Sequence, residues 1–123
     1  GSPQLYILDV ASGKSRRLTY SGGYNTSPDW SPAGDKIAYI SRVGGRFSVF
    51  SIAVDGGEPT RLTNNGFDNE DPAWSPDGRF IVFSSNRAGR YHLYVMQATG
   101  ENQRRLTGSG GDDTKPSWSP RLE

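Results

Sequence analysis

His92 is the one histidine of the 123-residue chain, and cysteine is absent. A serine or threonine nucleophile needs a neighbouring base, so any triad would have to be assembled through His92. The chain contains no Gly-x-Ser-x-Gly elbow. Gly108-Ser109-Gly110-Gly111 is glycine-rich but lacks the lysine of a phosphate loop. Asp68, Glu70 and Asp71, with Asp112 and Asp113, form the one acidic group. Carboxylate oxygens suit Ca²⁺, yet this spacing matches no calcium loop, so they read as solvated or turn-capping carboxylates. Asn25-Thr26-Ser27 fits the glycosylation sequon, a pattern short enough to recur by chance. No enzyme, no metal and no cofactor is expected.

The formal net charge is +1, which gives no reason to expect nucleic acid or an anionic membrane surface as partner. No apolar run approaches the roughly 18 to 20 residues of a membrane helix. Gly1-Ser2 reads as a cloning remnant, so a native leader could have preceded it. The lack of cysteine fits an oxidising compartment without requiring one.

What positions these residues is a repeat. Trp30-Ser31-Pro32, Trp74-Ser75-Pro76 and Trp118-Ser119-Pro120 lie 44 residues apart. Arg17-Leu18-Thr19, Arg61-Leu62-Thr63 and Arg105-Leu106-Thr107 keep the same spacing, as do Leu5-Tyr6, Val49-Phe50 and Leu93-Tyr94. A period in the forties made of short strands marks a β-propeller blade, whose faces are covered by neighbouring blades.

The best-preserved copy runs from Asn69 to Gly108. Asp71–Pro76 suits a short inner strand, and Pro76-Asp77-Gly78 a tight turn. Arg79–Ser84 and Tyr91–Met96 are β-branched and aromatic strands, and Gln103–Thr107 an outer one. Nothing has a helical period. The expected fold is all-β: four-stranded antiparallel blades with a 44-residue repeat, in an incomplete propeller of nearly three blades. Residues 1–23 give the outer strands of a first blade, 24–67 a second, 68–111 a third, and 112–123 the inner strand of the next. That makes eleven strands where three blades need twelve. Trp30, Trp74, Trp118, Tyr39, Phe83, Phe50 and Tyr94 are expected to pack blade on blade. Arg16, Arg17, Arg61, Arg104 and Arg105 are expected to form a solvated edge that discourages strand addition.

Propeller loops alternate between two faces. One face collects the loops before each inner strand and those joining second to third strands. It mixes Asp68, Glu70, Asp71, Asp112 and Asp113 with Arg42, Arg46, Arg87 and Arg90, and adds Tyr24 and Phe67. Exposed aromatics anchor interfaces, and variable loops on a rigid scaffold carry function. Tyr24, Asn25, Thr26, Arg46, Phe67, Asp68, Asn69, Glu70, Arg90, Asp112 and Asp113 are therefore the expected partner-binding residues. Open blade faces at both ends predict self-association, with a head-to-tail dimer approximating a ring.

The run x-Pro-x-Trp-Ser-Pro-Asp-Gly, the Leu-Tyr-x-Met strand and Arg-Leu-Thr resemble the carboxyl-terminal propeller of the TolB family. Asp71–Gly78, Leu93–Met96 and Arg105–Thr107 carry the match best. The ending Lys115–Leu122 is similar to the end of those chains. The resemblance covers nearly all of this chain and about half of the family's propeller. It implies a periplasmic protein of the Tol-Pal envelope system, binding the peptidoglycan-associated lipoprotein on the loop face, where colicin peptides also bind. Tyr24–Ser27 and Asp68–Glu70 would take part. Similar repeats occur in prolyl-oligopeptidase-like and tricorn-type peptidases, where a propeller gates substrate access to a separate hydrolase domain.

Overall fold

The computed structural model describes residues 3–20 and 23–106, and every regular element among them is a strand. β1 (Tyr6–Leu8) pairs with β2 (Ser15–Arg17). β3 (Gly23–Trp30), β4 (Lys36–Val43), β5 (Arg46–Ala53) and β6 (Thr60–Arg61) form one four-stranded antiparallel meander. β7 (Asn69–Trp74), β8 (Phe80–Ser85), β9 (His92–Gln97) and β10 (Arg104–Arg105) form the next. The expected inner strand near Trp118, with Asp112 and Asp113, lies outside the described residues.

The middle strands of the first meander are apolar on both sides because that sheet lies between the outer pair and the second meander. Ile37, Tyr39 and Ile52 pack with Leu5 and Leu18 of the outer pair. Successive strand residues face opposite ways, so Ala38, Ile40 and Val49 face the other side. There they join Leu62, Trp74, Ile81, Phe83, Tyr94 and Met96 between the two meanders. Tyr39 stacks on Phe50 at 5.8 Å and Phe83 on Tyr94 at 5.9 Å, repeating one cross-strand pair. Burial pushes the Tyr39 hydroxyl up to about 12.

The repeated motifs are fasteners. In Trp-Ser-Pro the serine hydroxyl closes the following turn. Ser31 Oγ accepts Lys36 N–H at 3.1 Å and donates to Asp35, while Ser75 Oγ accepts Phe80 N–H at 3.0 Å and donates to Asp77. In the first two Arg-Leu-Thr copies the leucine goes inward, Leu18 and Leu62 being buried while Leu106 is exposed. Thr19 Oγ1 accepts Leu5 N–H and Thr63 Oγ1 accepts Val49 N–H, both at 2.9 Å.

The arginines of the outer strands do lie at a solvated edge, Arg16, Arg61, Arg104 and Arg105 being exposed and Arg17 half-buried, and several also make specific bonds. Arg17 Nε donates to Thr19 O, and Arg61 Nε to Thr63 O. Arg61 Nη2 also donates to Ser48 Oγ, and Arg105 lies 3.0 Å from a ring nitrogen of His92, the residue at the same repeat position. Arg16 donates to Val54 O in the next sheet. A guanidinium fork can do this while its outer side stays wet. Thr63→Val keeps the shape but leaves Val49 N–H unpaired. A loss of about 1–3 kcal/mol is expected in urea unfolding, and a change near zero would remove this role for the hydroxyl.

Two expectations are modified. Tyr24–Ser27 and Asn69–Asp71 belong to strands rather than loops, because β3 and β7 begin earlier than the prolines suggest. Each strand tolerates its proline through a bulge, where Ser27 (φ 55°) and Asp71 (φ 53°) turn left-handed just before Pro28 and Pro72. The tryptophans also differ. Trp74 is 7% exposed, whereas Trp30 is 47% exposed and does not share its burial. Trp74 N–H and Nε1–H donate to Asp29 Oδ2 and O at 2.9 and 3.0 Å, across the sheet junction.

Candidate partner-binding face

The face begins at two buried asparagines, one per repeat. Asn25 Nδ2 donates to Gln4 Oε1, and its N–H to Pro3 O. Asn69 Nδ2 lies within hydrogen-bond distance of Phe47 O, Phe67 O and Asn65 Oδ1. Each pins the start of an inner strand to the preceding sheet. Both side chains are interior, so neither is a surface contact, and the Asn25 sequon is closed to a glycan in this fold.

Around them the loops lock together. Asp68 Oδ1 accepts Phe47 N–H at 3.0 Å, and Oδ2 stands 3.4 Å from Arg46 Nη1. Asp68 N–H donates to Asn86 Oδ1, and Asn86 N–H returns a bond to Asp68 O. Phe47 meets Tyr24 at 5.9 Å, with the Arg42 guanidinium 5.2 Å from both rings. Arg87 enters between the sheets. It lies 4.4 Å from the Tyr94 ring centroid and donates to Asn69, Ser85 and Gln103. Burial pulls its guanidinium below the ordinary arginine value.

The face thus brings together Tyr24, Arg46, Asp68 and Asn69. Glu70 is held separately, accepting the Tyr91 hydroxyl at 2.6 Å. Burial first, then the Glu70 bond and the nearby carboxylates, push the Tyr91 phenol up, so it stays a donor. Thr26 is half-buried opposite Ile40, and Phe67 and Arg90 are exposed. Phe47, Asn65, Asn86 and Tyr91 were not anticipated. Asn65 was findable, since its Oδ1 accepts Phe67 N–H two residues on, the bond that asparagine favours before a Gly turn.

Among the described residues no group of three or more His, Cys, Asp or Glu is placed to hold a metal. His92 is buried against Arg105. The arrangement sets the exposed Tyr24 and Phe67 rings near Arg42, Arg46 and the hydrogen-bonded Asp68.

The TolB beta propeller domain family (PD40) matches residues 1–122. The chain belongs to this family. A TolB homolog from Chlorobium chlorochromatii is 56% identical over 41 residues, which is 33% of this chain and 9% of that protein. The structure of a putative TolB from Agrobacterium tumefaciens superposes with a TM-score of 0.85 at 32% identity, covering 94% of this chain and 42% of that one. TolB from Acinetobacter baumannii gives 0.85 at 31% identity, covering 98% and 30%. This TolB-family chain therefore spans less than half the length of these relatives. Peptidase propellers share the fold alone, the tricorn protease at 19% identity with a TM-score of 0.63 over 91% of this chain and 10% of that one.

Proposed function

We propose that this chain is a non-enzymatic protein-binding scaffold, a segment of a periplasmic TolB propeller that takes the peptidoglycan-associated lipoprotein on its loop face. The observation that carries this reading is the pairing of exposed aromatics with a pinned backbone. Phe67 is 43% exposed and Tyr24 42%, yet their neighbours are held by Asn65, Asn69 and Asp68. Rings held this way lose little freedom on docking and can act as anchors. The fixed charges of Arg46, Asp68 and Arg42 around them suit a polar, reversible contact. Colicin peptides that used the same face would compete.

Titrating the soluble domain of the lipoprotein into this chain by calorimetry tests the reading. Phe67→Ala and Tyr24→Ala should each weaken binding by about 30-fold, the loss of about 2 kcal/mol typical of an anchor residue. Charge reversal at Asp68 is a poorer probe, because its carboxylate also holds Phe47 N–H. Absence of binding by the unsubstituted chain, or full affinity in both variants, removes this reading.

A further inference from the structure

Asn65 is the one asparagine of the chain that is followed by glycine. The same place in the neighbouring copies of the repeat holds Ser21-Gly22 and Ser109-Gly110, so only this loop carries an amide there. Asparagine before glycine is prone to internal attack, because glycine sets no side chain beside its own main-chain nitrogen. Gly66 is exposed, its φ is +76°, and a Cβ built on it would meet nothing within 4 Å. The Asn65 side chain is nevertheless engaged. Its Oδ1 accepts Phe67 N–H at 3.0 Å. Its amide also pairs with that of Asn69, Nδ2 donating to Asn69 Oδ1 at 3.2 Å and Oδ1 accepting from Asn69 Nδ2 at 3.1 Å.

We propose that Asn65 is a site of spontaneous deamidation, restrained by its pairing with Asn69, and that its conversion releases the loop bearing Phe67. The Gly66 nitrogen attacks Asn65 Cγ, a C–N bond forms, and ammonia leaves with the Gly66 proton. Water then opens the succinimide at either carbonyl, giving aspartate or isoaspartate. Ring closure makes Cγ tetrahedral and swings Oδ1 and Nδ2 off Phe67 and Asn69, so those bonds must open first. The change does not reverse. Aspartate has no N–H to give Asn69 Oδ1 and sets a negative charge against it. Asn69 cannot answer by turning its amide over. Its Nδ2 would leave Phe47 O and Phe67 O and face the Arg87 guanidinium, which donates to Oδ1 at 3.1 Å. Isoaspartate instead adds a methylene to the main chain ahead of Gly66, which displaces Phe67. The reaction and its readouts need this chain alone, whatever the face binds.

The test is to incubate the chain in mildly alkaline buffer, folded and in urea, and follow its tryptic peptides by mass spectrometry, Asn65 lying in 62–79. Asn65 is expected to convert ahead of every other asparagine, about tenfold more slowly in the folded chain than in urea. Asn69→Ser removes the amide partner and should bring the folded rate towards the urea rate, with circular dichroism to check folding. Gly66→Ala should slow conversion in both conditions. In the converted chain, and in Asn65→Asp, hydrogen exchange at the Phe67 amide should be faster than in the unconverted one. Equal rates for the unsubstituted chain, folded and in urea, would overturn the restraint, a comparison that stands even where Asn69→Ser does not fold. No conversion at Asn65 in the folded chain, or faster conversion at another asparagine, would overturn the site. Unchanged exchange at Phe67 after conversion would overturn the release of the loop.

Discussion

Trp74→Ala is expected to remove about 3–5 kcal/mol of unfolding free energy, and Trp30→Ala less than half of that. The two tryptophans open the same Trp-Ser-Pro motif 44 residues apart, so sequence alone treats them as equals. Burial separates them, at 7% against 47% exposed. Trp74 fills the junction between the meanders alongside Ile81 and Phe83, and its indole N–H satisfies Asp29 O. Truncation leaves a cavity in that junction and an unpaired carbonyl, two losses that the half-exposed Trp30 does not combine. Urea unfolding of both variants decides the matter, run dilute enough that association of copies does not contribute. Equal losses would mean that Trp30 is as buried in solution as Trp74, and the assignment of the two junctions would have to be abandoned.

The second large effect is at Gly100. Its φ is +92°, and a Cβ there would stand 2.8 Å from Leu62 O, a backbone atom of the neighbouring sheet that cannot swing aside. Gly56 holds the same repeat position with φ +99° and has nothing within 4 Å. Alanine at Gly56 meets only the left-handed backbone, a cost of about 1–2 kcal/mol. At Gly100 the collision adds about 1–3 kcal/mol, for a total of about 2–5 kcal/mol. Thermal unfolding of the pair isolates the contact from the conformation. A Gly56→Ala variant as damaged as Gly100→Ala would show that the close approach to Leu62 has no energetic weight.

The fold was legible because its information is periodic. Strand types, turn positions and the inward Leu18 and Leu62 follow from a 44-residue repeat with two apolar faces. The face was only partly legible, for a different reason. Asp68, Asn69 and Phe67 attract notice as polar or aromatic loop residues, but whether such a side chain looks outward or into its own scaffold is a matter of hydrogen-bond partners distant in sequence. Asn69 reaches Phe47 O, 22 residues back, and Glu70 meets Tyr91, 21 residues on. Neither pairing has a local signature. The outer-strand arginines are exposed as their edge position predicts, but the bonds of Arg17 and Arg61 Nε–H to backbone oxygens have no sign in the sequence.

The fastening of one sheet to the next has a consequence for how such chains change length. Asn69 grips Phe47, Trp74 grips Asp29 and Gln103 grips Leu62, each reaching back into the sheet before its own. A sheet therefore does not carry its own fasteners in full; part of its closure is written in the following stretch of chain. The 44 residues 60–103 carry Asn69, Trp74 and Gln103 together, whereas the preceding repeat has Pro59, with no side-chain donor, at the position of Gln103. Duplicating that stretch would carry all three gripping side chains into the new junction, whereas duplicating the repeat before it would leave the leucine carbonyl without its glutamine.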